Sequence, residues 1–170
     1  MTTWSVRRSR PADEGPGHSS SDPRNEFTID NSLGYLVNRA ARRLANDLAE
    51  ELRPLGVGVG QWAVLMFLWS RDGMSQAELS RLVAIEPPTM VRTLDRMVRD
   101  GIVTREPDPR DRRVTRIHLT PRGRSLRDQL VPRAVAVNQA AEADLTAQES
   151  ATLRRLLAKL VTTQGRRETT

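Results

Sequence analysis

Three observations predict a mainly α fold with a small β wing, in which a winged helix-turn-helix lobe is joined to a helical dimerisation region. Two short amphipathic helices separated by a tight turn occupy residues 75–100. Two β-rich runs follow, split by Pro107-Asp108-Pro109-Arg110-Asp111-Arg112-Arg113, a turn with no apolar residue. Three longer stretches with helical apolar spacing flank this unit, one before it and two after.

Residues 9–25 are rich in Ser, Pro and Gly and have no hydrophobic period, so residues 1–28 read as a disordered N-terminal arm. Its charges cancel, Arg7, Arg8, Arg10 and Arg24 against Asp13, Glu14, Asp22 and Glu26, and Trp4 has no evident place in it. The folded region is expected over 29–163. Ser32 is an N-cap candidate for a helix over 32–53, with Leu33, Leu36, Val37, Ala40, Leu44, Leu48 and Leu52 at spacings of three and four. Pro54 and Gly56 end it. A second helix, from about Gly60 to Arg71, runs Trp62-Ala63-Val64-Leu65-Met66-Phe67-Leu68-Trp69; apolar nearly all round, it is expected at the buried centre.

The winged lobe is expected over about 57–119. Asp72-Gly73 makes a turn, and Ser75 with Glu78 forms a capping box opening a short helix whose Leu79, Leu82 and Val83 face inward. Pro87 and Pro88 start the next helix, where a missing N–H leaves no partner unsatisfied, and Gly101 fits its C-terminal end. Val91, Leu94 and Val98 are expected on its inner face. Strands over 102–106 and 114–119 bracket the arginine-rich turn, which is too long for a tight hairpin; Thr115, Ile117 and Leu119 lie on one side of the second strand, Val114, Arg116 and His118 on the other.

Thr120-Pro121 opens a helix over 121–143, with Leu126, Leu130, Ala134, Val137 and Ala141 in register and a kink expected at Pro132. Thr146 and Glu149 make a second capping box, starting a helix over 147–163 that carries Leu153, Leu156, Leu157, Leu160 and Val161. Residues 164–170 read as a disordered tail. The helices over 32–53, 121–143 and 147–163 hold more apolar face than one small lobe covers, so they are expected to pair with the same helices of a second chain as a homodimer.

Charge narrows the function. The chain has 170 residues and a net charge of +6, and only one of its 27 basic residues, Lys159, is lysine. Between Thr89 and Arg127 lie eleven arginines and five acids, so this segment alone carries the whole excess. Cysteine is absent, which removes thiolate chemistry, and two histidines (His18 and His118) are too few for a histidine-rich metal site. No nucleophile–base–acid set or phosphate loop can be assembled, so no enzyme, cofactor or metal is expected. No apolar run is long enough for a transmembrane helix and the N-terminus has no apolar core of a secretion signal, so no membrane and a cytoplasmic location are expected.

The outer face of the helix after Pro87 presents Thr89, Arg92, Thr93 and Arg96. Arginine can donate to both acceptors on a guanine edge, and Arg92 and Arg96, one turn apart, repel each other unless an anion receives them. Arg110, Arg112 and Arg113 crowd a proline-stiffened tip, and a narrow minor groove concentrates negative potential where such side chains insert. Asp111 beside Arg112 reads as an acid that holds an arginine in place. Two alternatives stay open: a winged helix that binds protein, and a ligand-independent architectural DNA-binding protein.

The motifs also resemble the MarR/SlyA family of bacterial transcription regulators over residues 33 to about 161. They include Leu33-Gly34-Tyr35-Leu36, Gln61-Trp62-Ala63-Val64-Leu65, Ser75-Gln76-x-Glu78-Leu79, Ile85 through Met97, Asp100-Gly101-Ile102-Val103, Asp108 through Arg113, and Leu119-Thr120-Pro121-x-Gly123-Arg124. The resemblance implies a homodimer joined by its first and last two helices that binds pseudo-palindromic operator DNA, usually as a repressor. It matches Arg113 to an arginine that enters the minor groove, Asp111 and Arg112 to its supporting pair, Arg92 to a recognition-helix arginine, and Ser75 and Gln76 to a phosphate-contacting helix start. With the faces above, the expected DNA-contacting set is Ser75, Gln76, Pro88, Thr89, Arg92, Thr93, Arg96, Arg110, Asp111, Arg112 and Arg113. Many members release DNA when a small phenolic or other anionic aromatic compound binds, and the resemblance implies Arg39, Trp62 and Met66 as lining such a pocket. Peroxide-sensing members need a cysteine that this chain lacks, and the urate-responsive branch carries an acid where this chain has Ala63.

Overall fold

The computed structural model describes residues 28–164, so the expectations for the N-terminal arm, Trp4 and the tail beyond Gln164 lie outside the described residues. The described residues fall into two units, 28–38 and 39–164. In the first, a single 3-10 turn, Ile29–Asn31, precedes Ser32, whose Oγ accepts a long hydrogen bond from the Tyr35 amide (3.5 Å). Helix α1, Leu33–Leu52, starts here, with Leu33, Leu36 and Val37 exposed.

The second unit holds the later turns of α1 and the rest of the fold. Its elements are α2 (Val59–Ser70), β1 (Met74–Ser75), α3 (Gln76–Val83), α4 (Pro87–Arg99), β2 (Val103–Pro107), β3 (Thr115–Leu119), α5 (Pro121–Ala141) and α6 (Ala147–Gln164). The strands form one antiparallel sheet in the order β1-β3-β2, with Met74 opposite Ile117, Val103 opposite Leu119 and Pro107 opposite Thr115. β1 is too short to leave an alternation in the sequence. It exists because β3 offers it an edge.

One core joins these elements up to α5. Leu52, Val64, Leu65, Leu68, Leu79, Met90, Leu94, Met97, Ile102, Ile117 and Leu130 are buried together. Gly123 sits in the first turn of α5 so close to the Ile102 carbonyl that an added Cβ would collide with it, and the Trp69 indole donates to the Gly123 carbonyl (2.9 Å). Arg133 of α5 pairs with Glu51 of α1 (3.0 Å). α5 passes through Pro132 as one helix, and Pro132 is exposed, where water can serve the carbonyl it leaves free.

Three inner faces differ from the sequence expectation. On α4 the buried residues are Met90, Leu94 and Met97, while Val91 and Val98 are 37% and 39% exposed. Both stripes share Leu94 and both obey a 3.6-residue period; the helix is turned so that the unbranched, deformable methionines fill the core. On α3 Leu79 is buried but Leu82 is 42% exposed, because Ser80 turns inward instead and donates to the Ile85 carbonyl (2.6 Å) across the turn. α2 is not buried all round: Val64, Leu65 and Leu68 are, but Met66 is 47% exposed. α6 opens with the expected box, Thr146 N to Glu149 Oε2 (2.8 Å) and Glu149 N to Thr146 Oγ1 (3.3 Å), and leaves Leu153, Leu156, Leu157, Leu160 and Val161 exposed. Among the described residues no single helix is long and apolar enough to cross a membrane.

Candidate nucleic-acid interface

The short helix α3 is held open at its start by its cap. The Glu78 amide donates to Ser75 Oγ (3.1 Å) and the Ser75 amide donates to Glu78 Oε2 (2.8 Å). These Ser75 groups, together with Arg71 on Oε1 (2.8 Å), pull the Glu78 carboxyl down to about 2. Ser75 is thereby fixed as the N-cap, and Gln76 follows half-buried as the first residue of the helix. Ala84 ends the helix in the left-handed region (φ 57°) and sends the chain into α4.

Pro87, Pro88 and Thr89 form the first turn of α4, exposed, with the Thr89 and Met90 amides both donating to the Glu86 carbonyl (3.0 Å). Thr93 departs from the expected outer face. It is half-buried, and its hydroxyl donates to the Thr89 carbonyl (2.9 Å), so it lines the flank rather than the crest. Arg92 and Arg96 are fully on the exposed side. Asp95 pairs with Arg105 of β2 (2.5 Å), which holds the first turns of the wing against α4. Asp100 accepts from Gln61 Nε2 (3.2 Å), while Gln61 Oε1 accepts from the Gly58 amide (2.8 Å), so one buried amide ties the start of α2 to the end of α4.

The wing tip is organised by a residue that sequence reasoning passed over. Asp108 is only 6% exposed; its Oδ1 accepts from the Arg110 amide (2.7 Å) and the Asp111 amide (3.3 Å), and its Oδ2 from Arg116 Nε (2.5 Å). The Arg110 amide and the Arg116 guanidinium hold this carboxyl below the usual range. Asp111 holds an arginine, Arg113, through its backbone. Its Oδ1 accepts from the Arg113 backbone amide (3.0 Å), because an aspartate in a turn reaches the amide two residues on more easily than a guanidinium that points outward. Two signals could have identified Asp108: an aspartate followed by Pro and then a polar turn, and Arg116 on the strand face opposite Ile117.

The arginines of 75–119 sort into two groups. Arg99, Arg105 and Arg116 pair with Asp100, Asp95 and Asp108. Among the described residues, Arg81, Arg92, Arg96, Arg110, Arg112 and Arg113 pair with no acid, and all six are exposed. Asp72, Glu78, Asp95, Asp100, Asp108 and Asp111 are all engaged in hydrogen bonds within the protein. The unmatched guanidinium groups lie on α3, the outer face of α4 and the wing tip, leaving a positive field able to receive a polyanion. A groove of about 520 Å3 lined by Gln76, Ser80, Arg81, Ile85, Glu86 and Pro87 runs beside the α3–α4 turn. Of the residues expected to hold a ligand, Trp62 packs edge-on to Trp69 (ring centroids 5.7 Å apart, planes at 74°), Met66 is exposed one turn further on, and Arg39 is exposed on α1.

Residues 59–115 match the family model described as MarR family. The multiple antibiotic resistance protein MarR of Salmonella typhimurium is 33% identical over 144 residues, which cover 84% of this chain and 98% of that protein. The chain belongs to the MarR family. A second relative, the HTH-type transcriptional repressor Rv2887 of Mycobacterium tuberculosis, is 34% identical over 135 residues, 77% of this chain and 94% of its own length. Among solved structures, a probable transcriptional regulator from Pseudomonas aeruginosa matches with a TM-score of 0.73 and 32% identity over 78% of this chain and 99% of that one. A mutant MarR from E. coli complexed with operator DNA matches with a TM-score of 0.72 and 31% identity, covering 82% of this chain and 99% of the other. This MarR-family chain is a transcriptional regulator and not an enzyme.

Proposed function

We propose that this MarR-family regulator is a repressor that binds pseudo-palindromic operator DNA as a homodimer and is released by a small aromatic or anionic ligand. The observation that carries the DNA reading is the sorting of charges: structural arginines are paired, and those on the crest of α4 and the wing tip are not. In this reading α4 enters the major groove, where Arg92 and Arg96 meet base edges and phosphates, with Pro88, Thr89 and the flank residue Thr93 at its entry. Ser75 and Gln76 set the α3 start on the phosphate backbone, and the tip carrying Arg110, Asp111, Arg112 and Arg113 reaches the neighbouring minor groove. The exposed leucines of α6 support pairing with a second copy, which would put two recognition helices about 34 Å apart, one turn of DNA. Arg39, Trp62 and Met66 are the candidate ligand-contacting residues, and the site of action is the cytoplasm, where the chromosome lies.

The test is selection of bound fragments from the host genome, followed by a mobility shift on the recovered duplex across a salt series. Tight binding that weakens steeply as salt rises supports the reading, because neutralised phosphates release their counterions. Absence of a shift, or one indifferent to salt, would overturn it in favour of a protein-binding winged helix. Equal affinity for random duplex would instead indicate sequence-blind binding. Release by a phenolic carboxylate such as salicylate, abolished by Trp62→Ala, checks the effector part.

A further inference from the structure

The wing tip, residues 107–113, carries three arginines, two prolines and no large apolar side chain, so packing alone does not seat it against the rest of the lobe. A loose tip would have to be ordered at every encounter with DNA, at a cost in affinity. Within the loop Asp108 and Asp111 hold its backbone amides, and a side chain from outside ties that turn to the rest of the lobe. Arg116, on β3, donates through Nε to Asp108 Oδ2 (2.5 Å) and through Nη1 to the Gly73 carbonyl (3.0 Å), and the same Nη1 lies 3.9 Å from Glu78 Oε2. Glu78 closes the α3 cap at the Ser75 amide, and Asp108 holds the Arg110 and Asp111 amides with its other oxygen. One guanidinium therefore touches the wing tip, the turn before β1 and the acid that caps α3.

Resting on the DNA reading above, we infer that Arg116 and Asp108 are positioning residues for DNA recognition: they lock the wing tip to the start of α3, so that Arg113 meets the minor groove in register with α4 in the major groove. Asp108 is buried and its carboxylate oxygens are occupied inside the protein, so its part in recognition runs through the loop it holds. Arg116 works through Asp108 by the same geometry. Fixed register converts three separate contacts into one preorganised surface, and this shows as discrimination between flanking sequences rather than as attraction to DNA in general.

The experiment uses the full chain and the duplex recovered by selection, made in two forms whose minor-groove flanks are A·T-rich or G·C-rich. Arg116→Ala and Asp108→Asn are each measured on both, with Arg113→Ala as the reference and the Arg116→Ala/Arg113→Ala double variant to close the cycle. Asp108→Asn keeps the volume and an oxygen for the Arg110 amide, so it serves if Arg116→Ala does not fold. Arg116→Ala is expected to lower affinity for the A·T-flanked duplex roughly tenfold, the scale of one lost groove contact, and to change affinity for the G·C-flanked duplex much less. The double variant should lose little beyond Arg113→Ala alone, since the two residues act through one contact. A uniform loss on both duplexes, or additive losses in the cycle, would reduce Arg116 to a fold-stabilising residue and overturn the inference while leaving the DNA reading intact. Wild-type chain that selects no duplex would sink both.

Discussion

Ala84 holds a left-handed backbone (φ 57°) that disfavours any residue with a Cβ. Ala84→Gly is therefore expected to raise the unfolding free energy by about 0.5–1 kcal/mol, seen as a higher urea midpoint at unchanged slope. Gly123 presents the opposite case. Gly123→Ala drives a methyl into the Ile102 carbonyl and should cost roughly 1–3 kcal/mol, with a changed emission from the nearby Trp69 indole. Glu78 gives a pH signature. Its carboxyl sits at about 2 against an ordinary 4.5, so the stability it adds is present above 4.5 and is lost as pH falls toward 2. Glu78→Gln should flatten the stability profile across that window; a profile as steep as that of the wild type would contradict the assignment. The Ser75–Glu78 cap was legible because a capping box is a local pattern with a fixed spacing. The role of Asp108 was not, because its side-chain partner, Arg116, lies on β3 and only folding brings the two together.

At the scale of elements, α4 shows where periodicity stops deciding. Met90-Leu94-Met97 and Val91-Leu94-Val98 are both acceptable apolar stripes, and the choice falls to what α2 and α3 offer in return. The outward arginines belong to the same face under either choice, so the site was readable while the core beneath it was not. Met97→Ala is expected to cost about 2–5 kcal/mol and Val98→Ala under about 1 kcal/mol, in thermal or denaturant unfolding. The reverse order would restore the valine face. β1 was invisible in the sequence, since two residues carry no alternation; it is induced by β3, whose own Ile117 and Leu119 alternate cleanly. Asp111 holds Arg113 by the backbone for a related reason: spacing along a loop identifies which groups are close, but backbone amides compete with guanidinium groups for the same oxygen.

At the scale of the whole molecule, composition announced a positive excess confined to one segment, and the fold shows which members of that segment are neutralised. The apolar rows on α6 follow the sequence expectation in remaining uncovered in a single chain. If the proposed homodimer pairs through α6, a charge placed there, as in Leu157→Glu, should leave a monomer by sedimentation and lower operator affinity on the order of 100-fold, the gain that two linked half-sites provide. A Leu157→Glu chain that still sedimented as a dimer would move the pairing surface elsewhere.

The six unmatched cations on α3, α4 and the wing tip are all guanidinium groups, and none is an amine. Guanidinium stays protonated at every pH a cell reaches, and it offers no target to acetyl transfer. Neither acidification nor lysine acylation can therefore discharge this surface, and Lys159, far along α6, is the sole side-chain amine in the sequence. Ionic strength and competing polyanions are left as the general controls on its hold.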